Sequence, residues 1–333
     1  MSPIKECIIN RKIHNTPIWF MRQAGRYLPE FREIRKKNQN FIKLCLNKNL
    51  SSEITLQPLK RFELDAAIIF SDILIVPYGL GQKVEFKKNF GPILDDIDLN
   101  VFKKTDEKNF TNKLNSIYES LELTSRNTLL NNKDLIGFVG APWTILVYML
   151  NKQSPKKKIN SNLMNNEKII NDLLKLINKF LKIHIKNQIK SGASVIQIFD
   201  SWAGLVEEKK LSKYIYDPTL EIVEYVKTLG TPVICFPRNI KNYKEYSKIV
   251  KPDALNIDYN VKPEKIREEI DIVVQGGLDP KFLLGDKETL KKETLKYLNI
   301  FKDHPYIFNL GHGVLPETEP NNVEYLVKLV KDF

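Results

Sequence analysis

Cysteine and histidine are scarce in this sequence. Its 333 residues include 3 cysteines and 4 histidines. The cysteines (Cys7, Cys45 and Cys235) are odd in number and contain no CxxC pair, which argues against a disulfide framework and against a thiolate zinc site. The histidines show no HxxxH or HxC spacing of the kind that binds a transition metal. We therefore expect a reducing compartment and no metal.

The sequence also lacks a long apolar segment. Its most apolar stretch, Phe138 to Leu150, is too short to cross a bilayer and contains Pro142. The first residues, MSPIKECIINRKIHNT, have no apolar core of a signal peptide. We expect a cytoplasmic protein with no membrane partner.

Arginine is rare, although the chain is basic. Lysine and arginine total 52 against 40 acidic residues, a net charge of +12, and only 9 of the 52 are arginine. The lysines are scattered and are not interleaved with aromatics, so the charge does not predict a nucleic-acid partner. The longest basic run, Lys156 to Lys158, lies in a Ser/Pro/Asn-rich connector and is interpreted as a solvated loop.

Four of the nine arginines nevertheless fall within fourteen residues: Arg22, Arg26, Arg32 and Arg35. A guanidinium binds carboxylate or phosphate through two parallel hydrogen bonds, which lysine cannot do. No GxGxxG or Walker-type loop is present to bind a nucleotide, so a polycarboxylate is the better ligand. We interpret Arg32 as a surface residue paired with glutamate, and Arg22 and Arg26 as ligand-binding residues.

Short apolar runs alternate with helical patterns along the chain. Runs rich in Ile, Val and Phe are typical of parallel strands buried on both faces. They are Ile18–Met21, Ala66–Phe70, Leu135–Val139, Val195–Phe199, Pro232–Phe236, Ala254–Ile257, Ile272–Val274 and Tyr306–Leu310. Residues 171–190 show helical spacing between two of them. Eight runs alternating with helices predict an α/β fold, a single (β/α)₈ TIM barrel domain over residues 1–333.

Polar motifs follow these runs directly: RQAGR, SD, APWT, DSWAG, PRN, DY, GGLDP and GHG, in chain order. In a barrel the carboxyl ends of all strands open on one face, where the active site lies. The motifs therefore predict one site assembled from the whole chain, at the C-terminal ends of the strands.

Single residues in these motifs have competing interpretations. Asp72 is either a counter-ion for the arginines or a group that stabilises a developing cation. Tyr148 fits an ordinary core aromatic, and Ser201 is either a helix N-cap or a donor to a carboxylate. His312, between two glycines, fits a turn that faces a ligand, whereas His184 lies in a helical pattern and is interpreted as structural.

Six segments, in order along the chain, resemble the uroporphyrinogen decarboxylase family. The most specific is PIWFMRQAGRYLPEFRE at 17–33. The others are FSDILIVPYGLG at 70–81, GFVGAPWTILVYML at 137–150, QIFDSWAG at 197–204, QGGLDP at 275–280 and NLGHGVLPET at 309–318. Asn239 stands where the resemblance leads us to expect glycine, and Trp202 occupies a position that varies in the family.

The resemblance implies a single-domain barrel, a homodimer, and no metal or organic cofactor. It implies conversion of the four acetates of uroporphyrinogen III to methyls, giving coproporphyrinogen III and carbon dioxide. The substrate-binding residues that it implies are Arg22, Gln23, Ala24, Gly25, Arg26, Arg35, Asp72, Tyr148, Ser201 and His312. In this chemistry Asp72 would stabilise the cation formed when a pyrrole ring is protonated, and Arg22 would hold or protonate the reacting group.

Two alternatives remain beside this function. A corrinoid-linked methyltransferase of the same fold would need a His/Cys zinc set, and Cys235 has no HxC partner and no second cysteine downstream. A tetrapyrrole carrier without catalysis would bind through the same arginines but would not need Asp72.

Overall fold

The centre of the molecule is a parallel β-sheet. The computed structural model describes residues 1–87, 90–155, 159 and 166–333, so the lysine run at 156–158 lies outside the described residues. Within them the parallel sheet has 7 strands, in the order β1-β4-β5-β6-β7-β8-β9. These strands are β1 Ala66–Ile68, β4 Asp134–Gly140, β5 Val195–Asp200, β6 Val233–Pro237, β7 Ala254–Ile257, β8 Val273–Gly276 and β9 Tyr306–Ile307.

Helices follow or separate the strands. They are α1 Pro3–Ile9, α2 Pro29–Lys37, α3 Phe41–Cys45, α4 Lys48–Arg61, α5 Ile75–Gly79, α6 Leu99–Lys104, α7 Glu107–Ser125, α8 Pro142–Asn151, α9 Glu167–Lys190, α10 Asp217–Thr228, α11 Tyr243–Val250, α12 Pro263–Glu269, α13 Lys287–Phe301 and α14 Pro320–Lys331. The helix predicted over 171–190 is confirmed within α9. No helix of the described residues is long and apolar enough to span a membrane.

The strand predicted at Ile18–Met21 is wrong as a regular strand. Only Ile18 pairs there, in an isolated parallel bridge to Phe308. The N–H of Trp19 still donates to Phe308 O (3.3 Å), but the two N–H groups after it bond to side chains: that of Phe20 donates to Gln23 Oε1 (3.0 Å) and that of Met21 to Asn309 Oδ1 (3.2 Å). These side chains end the extended segment after two residues and turn the chain.

Ile18 lies between the two edges of the sheet. On one side the N–H of Phe308, beyond β9, donates to Pro17 O (2.8 Å). On the other, the N–H of Asp65, just before β1, donates to Ile18 O (2.9 Å). The backbone at 17–18 therefore connects the end of the sheet order to its beginning.

Two other strands, β1 and β9, end earlier than predicted. β1 ends at Ile68 because the Phe70 N–H donates to Thr55 Oγ1 of α4 (2.9 Å) rather than to a strand. Beyond β9, Leu310 bridges Leu278 instead of continuing the strand. The sequence pattern also missed an antiparallel pair, β2 Val84–Lys87 and β3 Gly91–Leu94.

Inside the sheet a polar network joins several strands. Gln275 Nε2 of β8 donates to Gln197 Oε1 of β5 (3.1 Å) and to Asn256 Oδ1 of β7 (2.9 Å). Trp19 Nε1, beside Ile18, donates to Gln275 Oε1 (2.9 Å). All four side chains are fully buried, and within the described residues Gln197 Nε2 is the one polar atom of these side chains that lacks a hydrogen-bond partner. The network fixes the Ile18 segment against the sheet interior.

Candidate active site

The predicted site residues lie near the carboxyl ends of the sheet strands. Asp72 follows β1, Ser201 follows β5, and His312 lies beyond β9. Arg22 follows the Ile18 bridge. Because the paired strands are parallel, these ends lie at one edge of the sheet.

The loop that carries Arg22 is held by internal hydrogen bonds. The side chain of Gln23 is fully buried, and its Nε2 donates to Ala66 O of β1 (3.0 Å). The hydroxyl of Tyr27 donates to Gln23 O (2.8 Å). Gln23 therefore uses its side chain to fix the loop, and its role in substrate binding stays a prediction, as do those of the half-buried Ala24 and Gly25.

Arg22 combines strained backbone with a confined side chain. Its φ is 59°, in the left-handed region that favours glycine. The stem of its side chain packs on Gly313, where an added Cβ would lie 2.4 Å from Arg22 Cδ. The residue reaches solvent, yet the surrounding protein desolvates the guanidinium enough to lower its pKa. The guanidinium is therefore accessible to a ligand and at the same time partly desolvated.

Asp72 is the carboxylate of the site. Its Oδ1 accepts the N–H of Leu74 (2.8 Å). Burial raises the pKa of Asp72 to about 6, while that hydrogen bond and the charge of Arg22 both act to lower it. A carboxyl group with a pKa near neutrality can gain or lose its charge near pH 7, and such shifted pKa values cluster at functional sites.

Tyr148 and His312 both lie near the charge of Arg22. Burial raises the pKa of Tyr148, and both Asp72 and Arg22 act on it. Burial, followed by the charges of Arg22 and Arg238, lowers the pKa of His312 to about 4. The N–H of Gly313 donates to His312 Nδ1 (2.7 Å), so the neutral ring carries its proton on Nε2 and presents a donor there.

Ser201 lies in the turn after β5, where the N-cap interpretation is wrong. The next short helix, Ala203–Leu205, is preceded by Trp202 and has no side-chain cap. The Trp202 ring meets Tyr148 edge-on, with ring centroids 5.9 Å apart. Ser201 is thus left available for another partner, and its binding role stays a prediction.

Arg26 and Arg35, two further arginines of the cluster, differ in their contacts. Arg26 is exposed and close enough to Arg22 and Arg35 to lower the pKa of both. Arg35 donates to the carbonyls of Asn38 (2.5 Å) and Gln39 (3.1 Å) at the end of α2.

Arg32 is structural, but not through the glutamate pairing that the sequence predicted. Its Nη1 donates to Arg26 O (3.0 Å) and Tyr27 O (2.9 Å) and so fastens the loop backbone. Glu30 pairs instead with Arg61 (2.6 Å), which a sequence pattern could not identify because Arg61 lies on α4.

The sequence reasoning missed two buried or half-buried charged residues at this edge. Arg238, in the PRN motif, lies near Arg22 and His312. Asp200, the last residue of β5, accepts the hydroxyl of Thr144 (2.6 Å), and burial raises its pKa to about 7. Their position directly at the end of a strand was the available signal.

Comparisons with known proteins give the family. The family model described as uroporphyrinogen decarboxylase matches residues 2–333. The chain belongs to the uroporphyrinogen decarboxylase family. A relative of that name from Rickettsia felis is 42% identical over 329 residues, 97% of this chain and 95% of the relative. Another from Rickettsia bellii is 40% identical and covers 100% of this chain and 98% of its own.

Solved structures share the fold at low sequence identity. A methyltransferase from Methanosarcina mazei aligns with a TM-score of 0.76 and 12% identity, over 100% of this chain and 99% of that one. A B12-independent methionine synthase from Shewanella aligns over 86% of each chain, with a TM-score of 0.56 and 10% identity. At such identities the likeness shows the fold alone. Among the described residues no group of three His, Cys, Asp or Glu side chains is placed to hold a metal, and Cys235 is fully buried.

Proposed function

We propose that this member of the family removes the four acetate carboxyls of uroporphyrinogen III in porphyrin biosynthesis. The products are coproporphyrinogen III and four molecules of carbon dioxide. The observation that carries the proposal is the Asp72 carboxyl, which the surrounding protein desolvates and which lies near enough to the Arg22 guanidinium for the two charges to interact. Arginines suit the eight carboxylates of this substrate, and the Asp72 carboxylate suits its pyrrole N–H groups.

The reaction needs a place for the electrons of the breaking bond. Protonation of a pyrrole carbon makes the ring cationic, and the C–C bond to the carboxylate then breaks, its electron pair entering the ring as carbon dioxide leaves. A second protonation, at the exocyclic carbon, gives the methyl, and the ring proton is returned. Each acetate therefore consumes one proton overall.

Asp72 is the group proposed to stabilise this cation. An ionised carboxylate that accepts the pyrrole N–H bonds strengthens its interaction as positive charge develops, and its fixed position avoids reorganisation. The Leu74 N–H already orients Oδ1. A carrier without catalysis would not need a group that stabilises a cation.

Arg22 is proposed to hold the reacting acetate, or to protonate the reacting group. Its guanidinium keeps its charge and can bind a carboxylate through two hydrogen bonds. Gln23, Ala24, Gly25, Arg26, Arg35, Tyr148, Ser201 and His312 complete the proposed substrate-binding set. The neutral His312 ring would donate from Nε2 to a carboxylate.

We further propose that Ile18 completes an eight-membered ring, so that residues 1–333 form one closed (β/α)₈ barrel domain. The backbone hydrogen bonds from the 17–18 segment to both edges of the sheet support this proposal.

A cytoplasmic homodimer without a metal or organic cofactor is proposed from the family resemblance. Light scattering of the purified protein tests the dimer.

The test of function is anaerobic turnover of uroporphyrinogen III without added metal or cofactor, with products separated by carboxyl number. We expect stepwise loss of carboxyls down to coproporphyrinogen III. Asp72→Asn is expected to lower kcat by about 100- to 1,000-fold, because the neutral amide cannot stabilise the cation.

For the wild type, kcat/KM should rise with pH through about 6 as Asp72 ionises.

The matched control is Asp332→Asn, at an exposed position after α14, which should behave as the wild type. Asp72→Asn with normal turnover would refute the central role of Asp72. Substrate binding without release of carbon dioxide by the wild type would favour the carrier instead.

A further inference from the structure

Arg238 is fixed at the carboxyl end of β6 by its backbone. Its N–H donates to Asp200 O at the end of β5 (3.0 Å), and its carbonyl accepts the N–H of Gly204 (3.1 Å). The next residue, Asn239, has a φ of 59° and packs against Gly204, where an added Cβ would lie 2.6 Å from Asn239 Cβ. The turn after β5, which contains Ser201, and the turn after β6, which contains the PRN motif at 237–239, are therefore held together. Arg238 lies beside Ser201.

The side chain of Arg238 is partly buried and unsatisfied. Only 25% of it is exposed, and its Nε has no hydrogen-bond partner among the described residues. The nearest carboxylate oxygen, Asp258 Oδ1, is 3.9 Å from Nε, beyond hydrogen-bond range, and is also unpartnered there. The Arg238 guanidinium is thus attracted electrostatically to Asp258 but forms no hydrogen bond with this oxygen.

Asp258 is held by other groups. Its Oδ2 accepts the N–H of Asn239 (2.5 Å) and the hydroxyl of Tyr243 (2.8 Å). These bonds fix the carboxylate beyond β7 and leave its second oxygen turned toward Arg238. An ion pair built for stability would show a direct, preferably bidentate, bond. This arrangement instead positions the guanidinium while leaving its donors free.

The site holds more positive than negative charge. Arg238 and Arg26 both act on Arg22, and each lowers its pKa, as like charges do. The carboxylates facing this group are Asp72 and Asp258. His312 is neutral near pH 7 and adds no charge. Three guanidiniums near two carboxylates leave a surplus that an anionic ligand would neutralise.

We propose that Arg238 is a further substrate-binding residue, which binds a carboxylate of the tetrapyrrole that is not itself being removed, and that Asp258 is its positioning residue. The inference rests on the function proposed above. It adds a contact from β6 to those from the Arg22 loop and from the end of β1. The substrate would thereby be held from strands three places apart in the sheet order, β1 and β6.

The experiment compares Arg238→Gln, Arg238→Lys and Asp258→Asn in steady-state turnover of uroporphyrinogen III. Loss of a charged bidentate contact made equally in ground and transition states raises KM and leaves kcat unchanged. We expect a KM about 10- to 100-fold higher in Arg238→Gln, with kcat within about twofold, and partial rescue in Arg238→Lys. Asp258→Asn should raise KM by a smaller factor, about threefold.

The control is Arg126→Gln, at an exposed residue on the outer surface that pairs with Glu122. Thermal unfolding of every variant separates binding from folding. If Arg238→Gln does not fold, Arg238→Met decides, because methionine keeps an apolar stem but removes the charge and every donor: an unchanged KM there overturns the proposal. An active wild type with Arg238→Gln indistinguishable from Arg126→Gln refutes the role of Arg238 alone, whereas an inactive wild type refutes the proposed function.

Discussion

At the scale of single residues, Arg22 shows how a glycine distant in sequence places a functional side chain. Residues in the left-handed region store about 1–3 kcal/mol of backbone strain unless they are glycine. Arg22 accepts this conformation in a loop fixed by Gln23 and Tyr27. Gly313 then supplies the free space that the stem of Arg22 occupies. The backbone conformation of Arg22 and the space beside Gly313 together determine the position of the guanidinium.

Gly313→Ala is therefore predicted to impair activity without unfolding the protein. The added Cβ would lie 2.4 Å from Arg22 Cδ and 2.7 Å from its Cγ, so the side chain must move. A displacement of about 1 Å in a site can lower activity by about 100-fold, and we expect a loss of kcat/KM of at least about tenfold. Circular dichroism and turnover measure the two effects.

Gly285→Ala is the matched control, because its nearest neighbour would be Phe282 O at 3.7 Å, an ordinary contact. In an Arg22→Ala background, Gly313→Ala should have little further effect on activity, because of the three close contacts only that to the Cβ of residue 22 (3.1 Å) remains. A full additional loss in that background would show that Gly313 acts through something other than Arg22.

At the scale of elements, the last helix fastens the segment that connects the two ends of the sheet order. Asp65 lies just before β1, and its Oδ2 accepts the N–H of Ile18 (2.7 Å). Lys331, the last residue of α14, donates to both oxygens of Asp65 (2.6 Å each). The Asp65 side chain is 9% exposed and that of Lys331 30%, so water screens this pair less than a surface pair.

Lys331→Met is predicted to destabilise the fold by about 1.5–3 kcal/mol, the usual range for a hydrogen bond to a charged group. The buried Asp65 carboxylate would keep only its bond from Ile18 N–H. Chemical denaturation measures the loss. Lys36→Met, which breaks an exposed pair with Glu33, is the control and should leave the midpoint unchanged. Equal midpoints for both variants would contradict the role of α14.

At the scale of the whole molecule, buried ionisable groups make stability depend on pH. His184 of α9 is buried, its Nδ1 lies 3.0 Å from the Tyr118 hydroxyl, and burial lowers its pKa to about 3. Unfolding restores a pKa near 6.5, so the unfolded chain binds an extra proton between pH 3 and 6.5. Stability is therefore complete above about pH 6.5 and falls as the pH decreases toward 3.

His184→Gln is predicted to flatten this acid dependence. At pH 5 the wild-type histidine disfavours the folded state by about 2 kcal/mol relative to pH 7, a penalty that glutamine does not have. The difference in Tm between pH 7 and pH 5 should thus be smaller in the variant. His14→Gln, at an exposed position, should keep the wild-type difference. A variant with the full wild-type slope would assign the acid sensitivity to other groups.

Local sequence determined much of this protein. Apolar runs with β-branched residues specify buried strands, and spacing of three and four specifies helices such as α9, because both patterns depend only on neighbouring residues. The order of motifs after the strands places polar groups at one edge of a parallel sheet. The segment at 17–33 and five others were sufficient to predict the family.

Other features were decided only by the tertiary structure. Ile18 pairs with Phe308 and Asp65, and Gly313 makes room for Arg22, contacts between residues far apart in the chain. The position of Arg238 directly after a strand was visible in the sequence, but its proximity to Arg22 and Asp258 arises from packing. The periodicity of apolar residues indicates which face of a helix or strand is buried. It does not indicate which residues pack against that face, because this depends on how all the elements assemble.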